Sequence, residues 1–276
     1  MPAVRLERRP VPKVWGRWDV PPQFGAPPPG DEPLGEVWFP DEAGEEADLL
    51  VKYLFTSERL SIQVHPGDEA ARAAGHRRGK DEAWVILEAE PDARIGLGLR
   101  REVSREALRD AALDGSIEQL LDWRPARAGD VFYSPAGTVH ALGAGLTLVE
   151  IQQNLDLTYR LYDYGRPREL HLEAGIGVAD PSPWHPSFAG KPIGEGREAL
   201  AAGGAFVLER WQGAQANVGT DCHAPLWLIP LKEGASADGV ALEAGSVWVA
   251  RGPTRLEVPD ASDLLVAYAG AEVRLG

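Results

Sequence analysis

A single cysteine, Cys222, gives this chain no intramolecular disulfide. Long apolar runs are missing too, and no stretch approaches the roughly 20 residues that a membrane-crossing helix needs. The opening MPAVRLERRP has no apolar segment of the secretory kind, so the expected address is the cytoplasm. Positive charge is scarce: 28 Lys and Arg stand against 42 Asp and Glu, a net charge of −14. That balance repels nucleic acid and anionic membranes unless a local basic patch overrides it, and no long basic stripe is present. Neither class of partner is expected. What is there is ordinary for a globular protein: 276 residues, 44% hydrophobic, enough for one large all-β domain or two modest ones.

Short runs of strand character dominate. Pro- and Gly-rich turns surround GEVWFP (35–40), DLLVKYLF (48–55) leads into RLSIQVHP, and EAWVILEAE (82–90) follows after a small helical stretch, GDEAARAAG, closed by Gly75. Between about 101 and 122 the spacing turns helical, with Ser116 and Gln119 as a capping-box pair, and reads as an insertion in a β framework. From Gly129 onward, GDVFYSPAGTVHALGAGLTLVEIQQ and LTYRLYDYG are strands cut by glycine turns, as in an antiparallel sandwich or jelly roll. The expected organisation is a metal-binding domain over 1–180, a Pro-rich link over 181–204, and a second, smaller β domain over 205–276 without a metal site.

In SIQVHP (61–66) a strand would send Gln63 and His65 to one face, with Ile62 and Val64 on the other. Taken alone, the pair is either a hydrogen-bonded core histidine with its partner or the beginning of a metal site. GDVFYSPAGTVH (129–140) places His140 behind a glycine turn, Pro135 and Gly137. This spacing resembles the second motif of the cupin superfamily, with Gln63, His65 and Glu82 standing for the first. Rival sites are weaker. His171 and Glu173 would share a strand face but have no second histidine motif, and the adjacent Cys222 and His223 would face opposite ways. His76 sits in a polar turn and His185 in the Pro-rich link. The short cluster HRRGK (76–80) is either a solvated loop or a site for a small anion.

Taken together, LSIQVHPGDEA, GKDEAWVILEAEP, PAGTVHALGAG and VEIQQNLDLTYRLYDYGR resemble the mannose-6-phosphate isomerases of the short bacterial type I form, over residues 13–180 or so. One departure is Arg17 in VWGRWD, where that family usually has a second glycine. The resemblance implies an all-β, cupin-like jelly-roll sandwich with a small helical insertion, followed by a second degenerate cupin-like β domain. It also implies one Zn²⁺ per chain, bound by Gln63, His65, Glu82 and His140. Two imidazoles, a carboxylate and a neutral amide suit a catalytic first-row metal and leave it a net positive charge.

The implied reaction interconverts mannose 6-phosphate and fructose 6-phosphate through an enediol, which requires a base and a holder for the developing oxyanion. Lys80, two residues before Glu82, is the expected proton carrier, since a nearby metal and Arg160 would favour its neutral form. Glu150, a carboxylate in the apolar VEIQQ, is the second candidate base. By the same resemblance Asp156 assists ring opening and Arg160 steadies the enediolate or the phosphate, the other reading of each being a surface salt bridge. Arg77, Arg78 and Arg166 are further cations that could gather the substrate anion, and Lys52 matches the family without an evident role. Two other classes compete: a cupin that binds sugars or phosphosugars without turnover, and a metal-dependent oxygenase, disfavoured because Gln63 fills a position that Fe(II) chemistry keeps open. The oligomeric state is left open.

Overall fold

The computed structural model describes residues 3–25, 30–186, 188–218 and 224–274, so Cys222 and His223 lie outside it. The chain is β-rich, as expected, with antiparallel ladders throughout the four sheets. A six-stranded inner sheet runs in the order 9–17, 34–39, 49–56, 146–153, 82–89, 131–134. A five-stranded front sheet runs 159–162, 62–64, 140–142, 94–99, 121–125. A seven-stranded back sheet, from 4–5 through 226–232, 263–269 and 206–211 to 191–194, covers the other face of the inner sheet, and a four-stranded outer sheet caps it.

Alternation along each strand decides which layer a side chain enters. In Leu49–Thr56, which is buried at every position, Val51, Tyr53 and Phe55 join Leu208, Trp227 and Ile229 of the back sheet in one core. Leu54 turns the other way, with Leu148, Trp84 and Ile86, to meet Ile95, Leu97 and Leu142 of the front sheet. Antiparallel sheets usually keep one wet face. Here both faces are covered, which is why DLLVKYLF reads as a nearly unbroken apolar run with one lysine in it.

The helical insertion packs on the far side of the front sheet. Leu108, Ala111 and Ala112 of the helix Arg105–Asp114, and Ile117 of Ile117–Leu120, lie against Ile62, Val64, Leu99 and Leu161. Its cap differs from the expected one. Ser104 accepts the Ala107 N–H at 3.1 Å and starts the longer helix, whereas Ser116 is already helical in its dihedrals and makes no side-chain cap. Asp114 takes the Ser116 N–H instead, at 2.8 Å, because the turn between the helices is too tight for a separate cap.

Two further expectations are corrected. The stretch 181–204 is not simply a link: Lys191–Gly194 and Arg197–Ala201 are the last two strands of the back sheet, and Val4–Arg5 pairs with Trp248 and Val249 at its other edge. Pro192 misdirects the sequence argument because it sits on an edge strand, where a missing N–H costs little. His171 and Glu173 are not on a strand either. His171 precedes the helix Leu172–Val178, exchanging its backbone N–H with the Arg160 carbonyl at 2.7 Å while its Nδ1 accepts the Arg160 N–H at 3.2 Å. Among the described residues no helix is long and apolar enough to cross a membrane.

One core shared by the inner and back sheets should unfold as one. We predict that urea unfolding followed by tryptophan fluorescence and by far-ultraviolet circular dichroism gives coincident single transitions. Leu208→Ala, at a fully buried position of that core, should shift both by about 2–5 kcal/mol. Two resolved transitions, one insensitive to the substitution, would contradict it.

Candidate metal centre and active site

Two facing rows of side chains build the site between the inner and front sheets. On the front sheet, Gln63 is in register with His140 on one side and with Arg160 on the other. On the inner sheet, Glu150 is in register with Lys52 and with Trp84, and Lys52 with Trp38. Glu82 opens its strand beside Gln152 and reaches across the gap, and His65 closes the triangle from just beyond Ile62–Val64.

His65, Glu82 and His140 are almost wholly buried, and one ligand atom from each lies within 4.8 Å of the others. His65 Nε2 is 3.2 Å from Glu82 Oε1, and His140 Nε2 is 3.5 Å from Glu82 Oε2. Each ring donates its Nδ1–H to a backbone carbonyl, His65 to Leu157 and His140 to Thr138, both at 2.9 Å. That bond sets the tautomer, so both Nε2 lone pairs face Glu82. Burial holds both histidines below the usual 6.5, His65 at about 3, so both are neutral at physiological pH. Burial opposes the Glu82 charge, but His65 and Lys80 outweigh it and hold the carboxyl well below its usual range. With His65 neutral, the standing positive charge is Lys80, whose Nζ lies 3.0 Å from Glu82 Oε1 and 3.5 Å from His65 Nε2.

An ionised carboxylate facing two lone pairs is repulsive unless a cation sits among them, and Lys80 reaches only the His65 side of the cluster, leaving Glu82 Oε2 and His140 Nε2 facing each other. Both Glu82 oxygens are buried with no hydrogen-bond partner among the described residues. A divalent metal satisfies every one of these atoms, so the donor set fits the group. Gln63 borders the cluster: its Nε2 donates to His140 Nε2 at 3.3 Å and its Oε1 accepts from Ser61 Oγ at 3.1 Å. A half-turn of the amide would present the oxygen to the cluster, and the serine hydroxyl could accept from the nitrogen in exchange.

The backbone of Lys80 is pinned from three directions. Gly79 N–H donates to Asp68 Oδ1 at 2.8 Å, Lys80 N–H to the Pro66 carbonyl at 3.0 Å, and Asp81 N–H to Gln153 Oε1 at 2.9 Å. A side chain at 79 would lie 2.6 Å from the Gly67 carbonyl carbon, so this approach needs glycine. Beyond Lys80, Glu150 has both oxygens engaged, Oε1 with Lys52 Nζ at 3.1 Å and Oε2 with the Trp84 indole N–H at 3.1 Å.

The cleft above these groups is narrow, about 90 Å³, below the roughly 300–1,000 Å³ usual for a small-molecule site. Five cations line it, Lys13, Lys52, Lys80, Arg160 and Arg168, against four acids, Glu36, Glu82, Glu150 and Asp156. In a chain of net charge −14 this is a local positive pocket before any metal is counted. Arg160 donates to the Glu169 carbonyl at 2.7 Å and forms no ion pair among the described residues, so no salt bridge joins it to the exposed Asp156.

The other expected cations go elsewhere. Arg77 binds Glu46, Arg78 binds Asp48 and the Ala47 carbonyl, and Arg166 binds Asp163 and the Arg59 carbonyl. Arg77 and Arg78 of the HRRGK cluster thus clip the 44–48 turn, and of its cations Lys80 alone lines the cleft. Lys13, Glu36, Trp38 and Arg168 were not visible as site residues, since nothing local distinguishes them. Lys52 had a signal, a lysine inside a strand of apolar residues, without a partner to interpret it.

No family model matches the chain. Curated relatives do. Over 160 residues it is 40% identical to mannose-6-phosphate isomerase ManA of Bacillus subtilis, an alignment covering 53% of this chain and half the length of that protein. Over 229 residues it is 35% identical to mannose-6-phosphate isomerase of Streptococcus mutans, covering 76% of this chain and 71% of the relative. Among solved structures, mannose 6-phosphate isomerase from Bacillus subtilis superposes with a TM-score of 0.83 at 24% identity, covering 97% of this chain and 99% of that one. A variant of phosphomannose isomerase from Salmonella typhimurium gives 0.74 at 13% identity, covering 98% and 100%. At these identities the two superpositions speak for the fold.

The depressed histidines make the metal-free protein acid-sensitive. Between about 3 and 6.5 the unfolded chain binds a proton at residue 65 that the folded chain excludes, so stability falls as pH drops through that window. Glu82, lowered in the fold, adds loss in the same direction below its usual 4.5. We expect the melting temperature of chelator-treated protein to fall steadily from pH 6.5 downward, and His65→Gln to flatten the slope. A slope unchanged by that substitution would contradict the assignment.

Proposed function

Because the chain belongs to the mannose-6-phosphate isomerase family, we propose that it interconverts mannose 6-phosphate and fructose 6-phosphate with one Zn²⁺ held by His65, Glu82, His140 and Gln63. The observation that carries the reading is the convergence of two neutral imidazoles on an ionised, buried Glu82, whose one standing counter-charge is Lys80, inside a cleft of net positive charge. When bound, the metal supplies Lewis acidity toward the sugar's carbonyl and hydroxyl oxygens. The neutral Gln63 amide fixes it without adding a second negative charge.

The protein's own groups then have distinct tasks. Lys80, on a backbone pinned at three points, moves the proton between C2 and C1 of the open-chain sugar. Glu150 is the less free of the two candidate bases, since Lys52 and Trp84 occupy both its oxygens; its part is to keep the Lys52 ammonium in the cleft. Asp156, exposed at the rim, assists ring opening. Arg160 has no acid ion-pair partner among the described residues to compete with an incoming anion and takes the enediolate or the phosphate.

Purified, zinc-loaded protein should convert mannose 6-phosphate in a coupled assay with kcat/KM at least ~100-fold above that for free mannose, the gain of one charge-assisted contact worth about 3 kcal/mol. His140→Ala should lose the metal on dialysis, by elemental analysis, while His171→Ala keeps it. Arg160→Ala should lose activity with metal retained, and Lys80→Ala should lower kcat more than it raises KM. Equal turnover of free mannose would remove the phosphosugar assignment. Tight binding of mannose 6-phosphate without conversion would establish a sugar-binding cupin.

A further inference from the structure

Asp81 lies between Lys80 and Glu82, immediately before the strand Glu82–Ala89, and its side chain turns away from theirs toward the back sheet. There its Oδ2 accepts the Tyr133 hydroxyl and its Oδ1 accepts the Ala136 N–H at 2.8 Å. The Ala205 N–H, from the turn that begins the strand Phe206–Trp211 of the back sheet, donates to the Tyr133 hydroxyl oxygen at 3.1 Å. Tyr133 is buried, its ring 5.4 Å from that of Phe206. Gly204 completes the arrangement, since a Cβ there would fall 1.9 Å from the Tyr133 hydroxyl oxygen. The backbone of Asp81 is held as well: Gln153 accepts its N–H at 2.9 Å and donates to its carbonyl at 3.0 Å.

We propose that Asp81 and Tyr133 are positioning residues through which the turn at Gly204–Ala205 sets the orientation of Lys80 and Glu82, so that the C-terminal sandwich is a working part of the active site. The proposal rests on the reading of the cleft as a zinc-dependent isomerase. Its physical basis is that Asp81, held through its backbone by Gln153 at the entry to the strand Glu82–Ala89, cannot rotate without carrying its neighbours. With the Asp81 carboxylate fixed by a hydroxyl and a backbone N–H, the peptide units on either side of it are fixed, and with them the directions in which Lys80 and Glu82 leave the strand. Without the Tyr133 hydroxyl, the carboxylate loses one partner and the turn at 205 keeps only its longer bond, from the Ala205 N–H to Asp81 Oδ2 at 3.4 Å.

The test perturbs the network from both sides. Tyr133→Phe removes the hydroxyl at nearly constant volume, and Gly204→Ala pushes the hydroxyl away from the other domain. Each should weaken zinc binding, read by competition with a chromophoric chelator, by about 10-fold, as loss of outer-shell partners does, and lower kcat by a similar factor with little change in KM. Ile229→Val, in the same inter-sheet core but outside the network, should lower the melting temperature and leave zinc affinity and kcat unchanged. The proposal is overturned if Tyr133→Phe binds zinc and turns over like the parent, or if Ile229→Val reproduces the losses. Should Gly204→Ala not fold, Tyr133→Phe decides alone. If the parent protein binds zinc but converts no hexose phosphate, the functional reading fails while the chelator measurement still decides the positioning role.

Discussion

The central strands of the inner sheet, 49–56 and 146–153, have no solvated face, and that constraint shapes the rest of the molecule. One face must meet another apolar sheet, and it does so with Val51, Tyr53, Phe55, Val149 and Ile151. The other is divided between an apolar end and a charged one. Lys52 and Glu150 stand in the charged end, where an isolated ion would be prohibitively costly to bury. They are tolerated because the charges alternate. Burial works against the Lys52 ammonium, but Glu150, Glu36 and Glu82 outweigh it and keep its pKa above the ordinary range. The Trp38 ring lies under the same ammonium at 4.5 Å, and the indole N–H groups of Trp38 and Trp84 satisfy Glu36 and Glu150. Such a row is interdependent, since removing any member leaves its neighbour buried and uncompensated.

The front sheet faces this row with groups that are neutral or positive. His65 and His140 are kept uncharged by burial, and their backbone acceptors fix the tautomer, so their lone pairs, rather than protons, meet the Glu82 carboxylate. That collision of acceptors is the electrostatic signature of a cation site. It also explains the division of charge across the molecule. A surface of net negative charge discourages polyanions, while a cleft with one more cation than acids still admits a small one.

The two halves of the chain are less separable than their sequences suggest. The back sheet takes its first strand from residues 4–5 and its last two from 191–201, and its core is continuous with that of the inner sheet. The seam between them passes directly behind Lys80 and Glu82, where Tyr133 bridges Asp81 and Ala205.

Much of the site was legible in the residues themselves. Gln63 and His65 on one strand face, and His140 behind a glycine turn, are set by period-two geometry and local turn chemistry, which need no knowledge of distant contacts. The strands around them followed from the same alternation, and the helical insertion from its helical spacing. Family likeness, not pattern, supplied Glu82 as a ligand and the roles of Lys80, Asp156 and Arg160. The tertiary structure decided which charges face the cleft. Arg77, Arg78 and Arg166 are bound by Glu46, Asp48 and Asp163, while Lys13, Glu36 and Arg168 enter the cleft from positions that no local signal marks. The same holds for the strands inside 181–204 and for the bond from Tyr133 to Asp81. Pairing across a sheet edge, and charge complementarity between residues remote in the chain, arise only when the layers close on one another. A one-dimensional pattern carries the period of a strand but not the identity of what it will face.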